Sequence, residues 1–410
     1  MTTYIIAVFC IVYLGMILGG LPFLQLDRTG IALLGAIALI GAEAVSPAEA
    51  ANSIHLPTLM LLFSFMVISA QMRLGGFYSW VTRGLASLPL APSLLLATLM
   101  LAVAALSAVF SNDIVCLAVA PVLIDACLAR RLDPVPYLLA LACAANIGSA
   151  ATLIGNPQNM LIGESLQLPF SGYLAQAYLP VLLGIAATWC LIAWQMRGRW
   201  TQAQIDATVP AQFTGARVPL DRWQAAKGLA VAAALLALFL FLPAWPRDVA
   251  ALTGAGLLLM SRKLHSNKML GLVDWELLIL FIGLFVVNYA MQKTGVVSGL
   301  VTDLSAAGFD LAQPGPLFAA ALVLSNIVSN VPAVMLLLPF ATHPLAGPIL
   351  ALASTLAGNL LIVGSIANII VVDAAARRGI RIDWRRHARV GVPVTLVTLA
   401  LCAASLWWRA

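Results

Sequence analysis

The sequence predicts an all-α polytopic membrane protein with two inverted repeats, each containing transmembrane helices, a re-entrant hairpin and a broken helix. The supporting observations are the composition, the series of apolar runs and an internal duplication. Hydrophobic residues make up 62% of the 410 positions, charged residues only 9%, and the mean hydropathy is +1.00. So few charges cannot cover the surface of a soluble protein of this size, and lipid is therefore expected to solvate the chain.

Apolar runs long enough to span, or nearly span, a bilayer follow one another along the chain. They lie at about 3–23, 29–45, 56–72, 92–110, 114–129, 136–163, 173–195, 223–243, 248–261, 275–291, 316–328, 331–347, 349–376 and 390–408. The first run has no basic segment before it and no small-residue cleavage site, so we expect a retained helix. The longest polar stretch, 196–222, is predicted to be a cytoplasmic linker between a first repeat, 1–195, and a second, 223–410.

Five sequence features of the first half recur in the second half in the same order. They are Asp27-Arg28-Thr29-Gly30 and Arg247-Asp248-Val249, His55 to Phe77 and Asp274 to Val296, Ser111-Asn112-Asp113 and Ser329-Asn330-Val331, Ala140 to Cys143 and Ala351 to Ser354, and Gly155 to Asn159 and Gly364 to Asn368. Five correspondences in one order indicate an internal duplication.

The distribution of basic residues favours an inverted duplication. We predict hairpins at about 92–129 and 316–347 and broken helices at about 136–163 and 349–376. With the N-terminus outside, 19 of the 22 basic residues then face the cytoplasm, and only Arg247, Lys293 and Arg409 remain outside. This bias follows the positive-inside rule, and it weakens if the hairpins cross the membrane.

Polar residues concentrate in four clusters, 111–113, 146–159, 326–330 and 359–368. Two are predicted hairpin tips and two are helix breaks, and a broken helix at membrane depth persists only where it lines a cavity or is buried in protein. The candidate substrate-binding residues are Ser111, Asn112, Asn146, Ser149, Thr152, Asn156, Asn159, Ser329, Asn330, Asn359, Ser365 and Asn368. The candidate ion-coupling residues are Asn112, Asp113, Gly155, Asn330 and Gly364. The alternative is that these side chains only join helices or cap their ends.

Asp113 is the strongest single candidate for ion coupling, because burying an ionisable group at bilayer depth costs free energy and such groups are usually functional. We interpret it as a proton acceptor or a ligand of a sodium ion. Its counterpart in the second repeat is Val331, so the first repeat carries an additional group. The alternative role is an N-cap for a helix at 114–129.

The remaining polar residues have simpler interpretations. Asp125 is expected to form a salt bridge or lie at an interface, and Asp373 is expected to pair with Arg377. The six cysteines stand singly in apolar runs and predict neither a metal site nor a disulfide framework. No P-loop, GxSxG or HExxH motif is present, so we predict neither an enzyme nor a cofactor, and the composition argues against nucleic acid as a partner.

The motifs resemble the ion transporter superfamily, which includes arsenite permeases, NhaD-type antiporters, citrate transporters and dicarboxylate/sulfate permeases. YbiR-type anion permeases are the most similar group. The resemblance is carried by Ser111-Asn112-Asp113 with Pro121, by Asn146 to Ser149 continuing to Gly155-Asn156-Pro157-Gln158-Asn159, and by Ser329 to Pro332. It implies a scaffold with a mobile transport unit, a homodimer, and substrate and cation at the tips and breaks. Asn112-Asp113 is similar to the Asn-Asp pair of arsenite permeases, whereas dicarboxylate members carry Ser-Asn-Thr at both tips.

These observations predict a proton- or sodium-coupled permease for a small inorganic or organic anion in a bacterial inner membrane. No Arg, Lys or His falls in the four clusters, so helix N-termini, amides and hydroxyls would hold an anion, and a neutral solute fits as well. The alternatives are arsenite or antimonite efflux, for which an ATPase is a conceivable partner, and sodium/proton antiport. A channel, which conducts its solute without alternating access, is a further alternative to these carriers.

Overall fold

The structure is a computed structural model that describes residues 1–20, 24–201 and 219–408. Within these ranges it is built of α-helices and contains no β-strand. The helices are α1 Thr2–Leu18, α2 Arg28–Gly41, α3 Pro47–Ser53, α4 Leu56–Leu74, α5 Phe77–Ala86, α6 Pro92–Val109, α7 Asn112–Ala129, α8 Pro134–Ser149, α9 Pro157–Ser165, α10 Phe170–Gln195, α11 Arg222–Phe241, α12 Arg247–Leu259, α13 Ser266–Leu270, α14 Trp275–Lys293, α15 Val296–Ala306, α16 Pro314–Val328, α17 Asn330–Leu337, α18 Ala346–Ala357, α19 Ile366–Ala376 and α20 Trp384–Trp407.

Seven of the described helices are long and apolar enough to cross a bilayer: α4, α6, α7, α10, α11, α14 and α20. Large apolar side chains on their outer faces are exposed, as in Leu101 at 56%, Leu182 at 57% and Leu396 at 62%. Water would make such surfaces costly, whereas lipid solvates them. The prediction of an all-helical, multi-pass membrane protein is confirmed.

Local sequence signals explain where many helices begin. Proline is the first residue of α6, α8, α9 and α16, where its missing N–H costs no helical hydrogen bond. The side chain of Asp27 accepts from the Gly30 N–H at the start of α2, and the side chain of Asp274 accepts from the Leu277 N–H at the start of α14. These caps satisfy amides that the first turn leaves without partners.

The helices of the two halves follow the same order. Helices α1 to α10 correspond to α11 to α20, including the short α3 and α13 and the hairpins α6–α7 and α16–α17. The broken helices are α8–α9 and α18–α19, each interrupted by a segment that is not α-helical; the second interruption contains a short 3-10 helix, Ile362–Gly364. The predicted linker lies between α10 and α11, and its residues 202–218 fall outside the described residues, as does Arg409.

Two pairs of corresponding helices contact each other and run antiparallel. At α4 and α14, the ring of His55, the N-cap of α4, lies 6.4 Å from that of Phe285, and the ring of Phe63 lies 5.9 Å from that of Trp275. The order of contacts is therefore reversed along the two helices. In α10 and α20, Gln195 Nε2 donates to the Arg389 carbonyl at 3.0 Å, while Gly184 lies beside Thr398. Corresponding helices of an inverted repeat run in opposite directions, so this packing supports that prediction.

The long helices form two packed groups. The framework bundle contains α1, α2, α4, α11, α12 and α14, in which α2 packs on α14 and α12 packs on α4. The site bundle contains α6 to α10 and α16 to α20, in which α6 packs on α8, α16 on α18 and α10 on α20. The hairpin tips and helix breaks all belong to the site bundle.

Candidate functional site

The two hairpin tips lie against the two helix breaks. In the first half, the N–H of Asn112 donates to the Gly155 carbonyl at 3.3 Å. In the second half, Asn330 lies against Gly358 and Asn326 lies against Gly364, so closely that a Cβ on either glycine would be 3.2–3.3 Å from an amide atom of the neighbouring Asn. The structure therefore brings all four predicted polar clusters into one region.

The side chain of Asn146 connects the clusters. Its Oδ1 accepts from Asn112 Nδ2 at 3.2 Å and from Ser365 Oγ at 2.9 Å. Its Nδ2 donates to Asn359 Oδ1 at 2.8 Å and Asn368 Oδ1 at 3.3 Å. One buried side chain in α8 thus joins the first hairpin tip to the second helix break, across more than 200 residues of sequence.

Thr355 makes the mirror-image connection from α18 to the first break. It stands 209 residues after Asn146, the same offset that separates Gly155 from Gly364. Its hydroxyl oxygen accepts from Asn156 Nδ2 at 3.2 Å and Gln158 Nε2 at 3.1 Å. Sequence reasoning missed Thr355 and Gln158, although applying the 209-residue offset to Asn146 would have indicated Thr355.

Asn159 and Asn368 perform the same task in the two breaks. Asn159 Nδ2 donates to the carbonyls of Thr152 at 3.0 Å and Ser149 at 3.5 Å. Asn368 Nδ2 donates to the carbonyls of Gly358 at 2.8 Å and Leu361 at 3.0 Å. Each amide supplies partners for carbonyls that a helix break removes from the helical pattern.

Other predicted ligands also have partners within the protein. Asn156 Oδ1 accepts from the Asn159 N–H at 2.9 Å, and Ser365 Oγ accepts from the Ala367 N–H at 3.2 Å, so both cap the second half of a broken helix. Ser149 Oγ donates to the Asn146 carbonyl at 2.8 Å, and Thr152 Oγ1 donates to the Ala108 carbonyl. These side chains shape the site and have few groups left for a ligand.

Gly155 is required by the close approach of the backbone in the first break. A Cβ at this position would lie 2.2 Å from the Ser149 carbonyl oxygen. Gly148 has the same constraint against α6, since its Cβ would lie 2.3 Å from the Cα of Ala104. These two glycines therefore fix the path of the broken helix and its contact with the first hairpin.

Several buried polar atoms around the tips have no hydrogen-bond partner in the described part of the chain. Four are carboxylate or amide oxygens, namely Asn112 Oδ1, Asp113 Oδ1, Asn326 Oδ1 and Asn330 Oδ1, and one is the amide nitrogen Asn359 Nδ2. The hydroxyls of Ser107 and Ser325, which precede Ser111 and Ser329 by one turn, are also unpartnered. Buried polar atoms normally have partners, so these are the groups to examine for ligand binding.

The hydrogen-bond network fixes the orientation of these amides. Asn368 Nδ2 faces two carbonyls, so its Oδ1 faces Asn146 Nδ2. Asn146 Oδ1 must then accept from Asn112 Nδ2, which leaves Asn112 Oδ1 free. Asn326 is fixed separately, because its Nδ2 donates to the Leu322 carbonyl at 3.0 Å. The unpartnered set is thus dominated by hydrogen-bond acceptors.

Asp113 lies in the first turn of α7, with Ser111 at the N-cap position. The predicted alternative, in which Asp113 is the N-cap, is therefore wrong, because the helix begins earlier, at Asn112. A carboxylate in the first turn is favoured by the helix dipole. Asp125 and Asp373 behave as predicted: Asp125 pairs with Arg378, and Asp373 pairs with Arg377 at 2.8 Å.

Eight helix ends surround the site. Helices α7, α9, α17 and α19 begin there, whereas α6, α8, α16 and α18 end there. N-termini favour negative charge and C-termini favour positive charge, so the region offers backbone groups to both kinds of ion. Sequence reasoning also missed His387 in α20, which is buried with Nε2 3.1 Å from the Asn359 carbonyl.

The second tip has a strained backbone that the first tip lacks. Ser329 has φ of 79° and ψ of 160°, whereas Ser111 has φ of −49° and ψ of 130°. A residue with a side chain in the former region is strained by about 1–3 kcal/mol. The two tips thus share a sequence motif but differ in conformation.

A model of the citrate transporter family matches residues 11–357 of this chain. The chain belongs to the citrate transporter family. This finding confirms the resemblance to the ion transporter superfamily. An uncharacterized transporter of Mycobacterium tuberculosis is 31% identical over 369 residues, covering 86% of each chain. The inner membrane protein YbiR of Escherichia coli is 29% identical over 340 residues, covering 80% of this chain and 82% of that protein.

One further relative and one solved structure extend the comparison. The silicon efflux transporter LSI3 of Oryza sativa subsp. japonica is 27% identical over 450 residues, covering 93% of this chain and 92% of LSI3. The crystal structure of the Alcanivorax borkumensis YdaH transporter matches 99% of this chain and 96% of its own, with a TM-score of 0.57 and 14% identity. The second match concerns the fold. This member of the citrate transporter family is therefore a multi-pass membrane transporter.

Proposed function

We propose that this transporter is a secondary active carrier of a bacterial inner membrane that couples proton or sodium movement to the transport of a small anion. The observation that carries the proposal is the meeting of two hairpin tips and two helix breaks around Asn146. Broken helices at the interface of two repeats form the substrate and ion sites of many secondary transporters. The similarity to the inner membrane protein YbiR supports the proposed location.

Alternating access is supported by the relation between the two halves. The helix order repeats, and two pairs of corresponding helices contact each other in antiparallel orientation. We therefore propose that 1–195 and 223–410 are inverted repeats and that the site bundle moves against the framework bundle. A homodimer, which the superfamily resemblance implies, is part of the same proposal.

The coupling cation would bind at the unpartnered oxygens. Asn112 Oδ1 and Asp113 Oδ1 belong to the first tip, and Asn330 Oδ1 belongs to the second. Sodium prefers hard oxygen ligands, as other hard cations do, and a proton could instead neutralise the carboxylate of Asp113. The anion would be held by the bound cation and by helix N-termini, since the four clusters contain no Lys, Arg or His.

The test is uptake into proteoliposomes with imposed proton or sodium gradients and a panel of carboxylates and oxyanions. The variant Asp113→Asn keeps the shape of the side chain but removes its charge, so we expect it to lose gradient dependence. Asp303→Asn is the matched control, because Asp303 is exposed in α15. Undiminished gradient-driven uptake by Asp113→Asn would remove this carboxylate from the mechanism.

Efflux of a neutral hydroxide, such as arsenous or silicic acid, is the second candidate. The favouring observation is that the tips and the second break hold four unpartnered carboxylate or amide oxygens, namely Asn112 Oδ1, Asp113 Oδ1, Asn326 Oδ1 and Asn330 Oδ1, against one unpartnered amide nitrogen, Asn359 Nδ2. Oxygen acceptors bind the O–H groups of an undissociated acid and do not bind the oxygens of a bare anion. The silicon efflux transporter LSI3 is a relative of this chain.

Three measurements separate these functions. Counterflow of arsenous or silicic acid without any uptake of anions would replace the first candidate by the second. Sodium/proton antiport without another solute is measured with a pH-sensitive dye in vesicles. Single-channel currents far above carrier turnover would contradict all the carrier mechanisms.

A further inference from the structure

Arg247 clamps the end of a broken helix to the framework bundle. It is the first residue of α12, and its Nε lies 2.9 Å from Glu164 Oε1 in α9. Its two other guanidinium nitrogens donate to the carbonyls of Leu168 at 2.9 Å and Gly163 at 3.0 Å. The side chains of the ion pair are only 13% and 7% exposed. This outer clamp joins the site bundle to the framework bundle by three contacts.

The position of Arg247 is unfavourable for its own helix. A positive charge at a helix N-terminus opposes the helix dipole, whereas the same charge is stabilised by the carbonyls at a helix C-terminus. Arg247 therefore gains its stabilisation from the C-terminal end of α9, in another bundle. If the site bundle moves, this contact must break.

The two repeats also contain a second arginine and a second carboxylate at the corresponding positions, with Arg28 in the first repeat and Asp373 in the second. Arg28 is the first residue of α2, as Arg247 is of α12. Asp373 is the eighth residue of α19, as Glu164 is of α9. Charge bias places Arg28 and Asp373 at the cytoplasmic face and the outer clamp at the opposite face.

This second pair is separated in the structure. Asp373 binds Arg377 within its own helix at 2.8 Å, and both side chains are more than half exposed. The Nε of Arg28 is buried and, among the residues that the structure describes, has no hydrogen-bond partner. An exposed pair one turn apart contributes little, so Asp373 can exchange partners at small cost. Arg28 has a buried donor group that lacks an acceptor.

We propose that Arg247–Glu164 and Arg28–Asp373 are alternating clamps, of which one is closed in each of the two transport states. The proposal rests on alternating access in the proposed function, since inverted repeats exchange conformations when the site changes sides. In the state opposite to this one, Arg28 binds Asp373 and the end of α19, and Arg247 releases Glu164. These four residues position the site bundle and do not contact the transported solute.

The test measures the state of the protein without a substrate. Ser165 follows Glu164 in the chain and lines a cavity of about 400 Å³ between α9, α14 and α17. The variant Ser165→Cys, in a protein whose six native cysteines are replaced, reports this region through its rate of alkylation by a membrane-impermeant maleimide in oriented vesicles. Arg247→Gln and Arg28→Gln should change this rate in opposite directions, each by on the order of tenfold, because each removes a charged hydrogen-bonding group from one state only. The double variant should return toward the rate of the unsubstituted reporter.

Controls separate a clamp from a merely structural role. Lys293→Gln breaks the exposed pair with Glu49, whose residues both lie outside the site bundle, and should leave the rate unchanged. The charge exchange Glu164→Arg with Arg247→Glu should restore the rate if Arg247→Gln alters it by removing the ion pair. Each protein is checked for a monodisperse gel-filtration profile, and the exchanged variant serves as the test if Arg247→Gln does not fold.

Two results would overturn the proposal: changes in the same direction for the two single variants, or a double variant that keeps the labelling rate of either single variant. Because labelling requires no substrate, its outcome is independent of which solute is transported. If the unsubstituted protein shows no gradient-driven transport but Arg247→Gln and Arg28→Gln still change the labelling rate in opposite directions, the proposed coupling is contradicted and the clamps are not. Normal coupled transport with no reciprocal labelling would contradict the clamps alone.

Discussion

Replacing Asn146 by alanine should weaken the contact between the two repeats more than any other single polar substitution in the site. The side chain accepts two hydrogen bonds and donates two, and its partners are Asn112, Asn359, Ser365 and Asn368. The alanine variant removes all four bonds at once. It also leaves two amide oxygens, one amide nitrogen and one hydroxyl without their partner.

The expected loss follows from the number of bonds. Hydrogen bonds between transmembrane helices average about 0.6 kcal/mol, which gives about 2 kcal/mol for four. The value of about 1 kcal/mol each found for soluble proteins gives about 4 kcal/mol. We therefore expect a loss of about 2–4 kcal/mol, and removal of the packed side chain adds to it.

The assay is thermal and denaturant unfolding of the purified protein in detergent. Thr188→Val is the matched control, because Thr188 is buried in α10 but donates only to the Gly184 carbonyl of its own helix. A double-mutant cycle with Asn112→Ala should show a coupling energy of about 0.5–3 kcal/mol, since the two amides are in contact. If Asn146→Ala is as stable as the control and the cycle is additive, the assignment of Asn146 as the link between the repeats is refuted.

Three further predictions concern the backbone and the outer surface. Gly155→Ala places a methyl group 2.2 Å from a carbonyl oxygen, so it should prevent accumulation of folded protein, as measured by gel filtration. Ser329→Gly should raise stability by about 1–3 kcal/mol because it releases the strain at φ of 79°, whereas Ser111→Gly should not, as measured by thermal unfolding. The pKa of Glu49 is lowered from 4.5 to about 2 by its hydrogen bond from Lys293 and by those from the N–H and hydroxyl of Ser46, which caps α3. The small contribution of the Glu49–Lys293 pair to the free energy of unfolding should thus be present above pH 4.5 and disappear as the pH falls toward 2. A constant difference in the free energy of unfolding between the protein and Lys293→Gln over that interval would contradict this prediction.

Much of the architecture could be predicted because interruptions of apolar runs are visible in the sequence. Gly155-Asn156-Pro157 and Gly364-Ser365 stand inside runs that otherwise read as transmembrane helices. Only a few backbone arrangements tolerate such residues at membrane depth, so the class of fold follows from them. Family membership and the helical structure confirm the predicted all-helical membrane fold and the resemblance.

The roles of individual polar residues could not be predicted in the same way. Asn112, Asn156 and Asn159 cannot be distinguished in the sequence. In the structure, the side-chain oxygen of Asn112 has no partner, whereas the side chains of Asn156 and Asn159 bind backbone and side-chain partners. The difference depends on which neighbour faces each amide, and some of those neighbours lie about 200 residues away in the chain. The role of Thr355 also depends on its distant neighbours. A threonine in an apolar helix usually bonds to its own backbone, so its sequence context does not indicate a bond to Asn156.

In the proposed alternating-access mechanism, the differences between the repeats carry the functional information. A transporter with two identical halves in identical conformations would present the same opening to both sides of the membrane. A site open to one side at a time therefore requires corresponding residues to differ in conformation. Ser111 and Ser329 differ in φ, and Arg247 is clamped where Arg28 is not. A duplicated sequence predicts what the halves share, and only the structure shows where corresponding residues such as Ser111 and Ser329 differ.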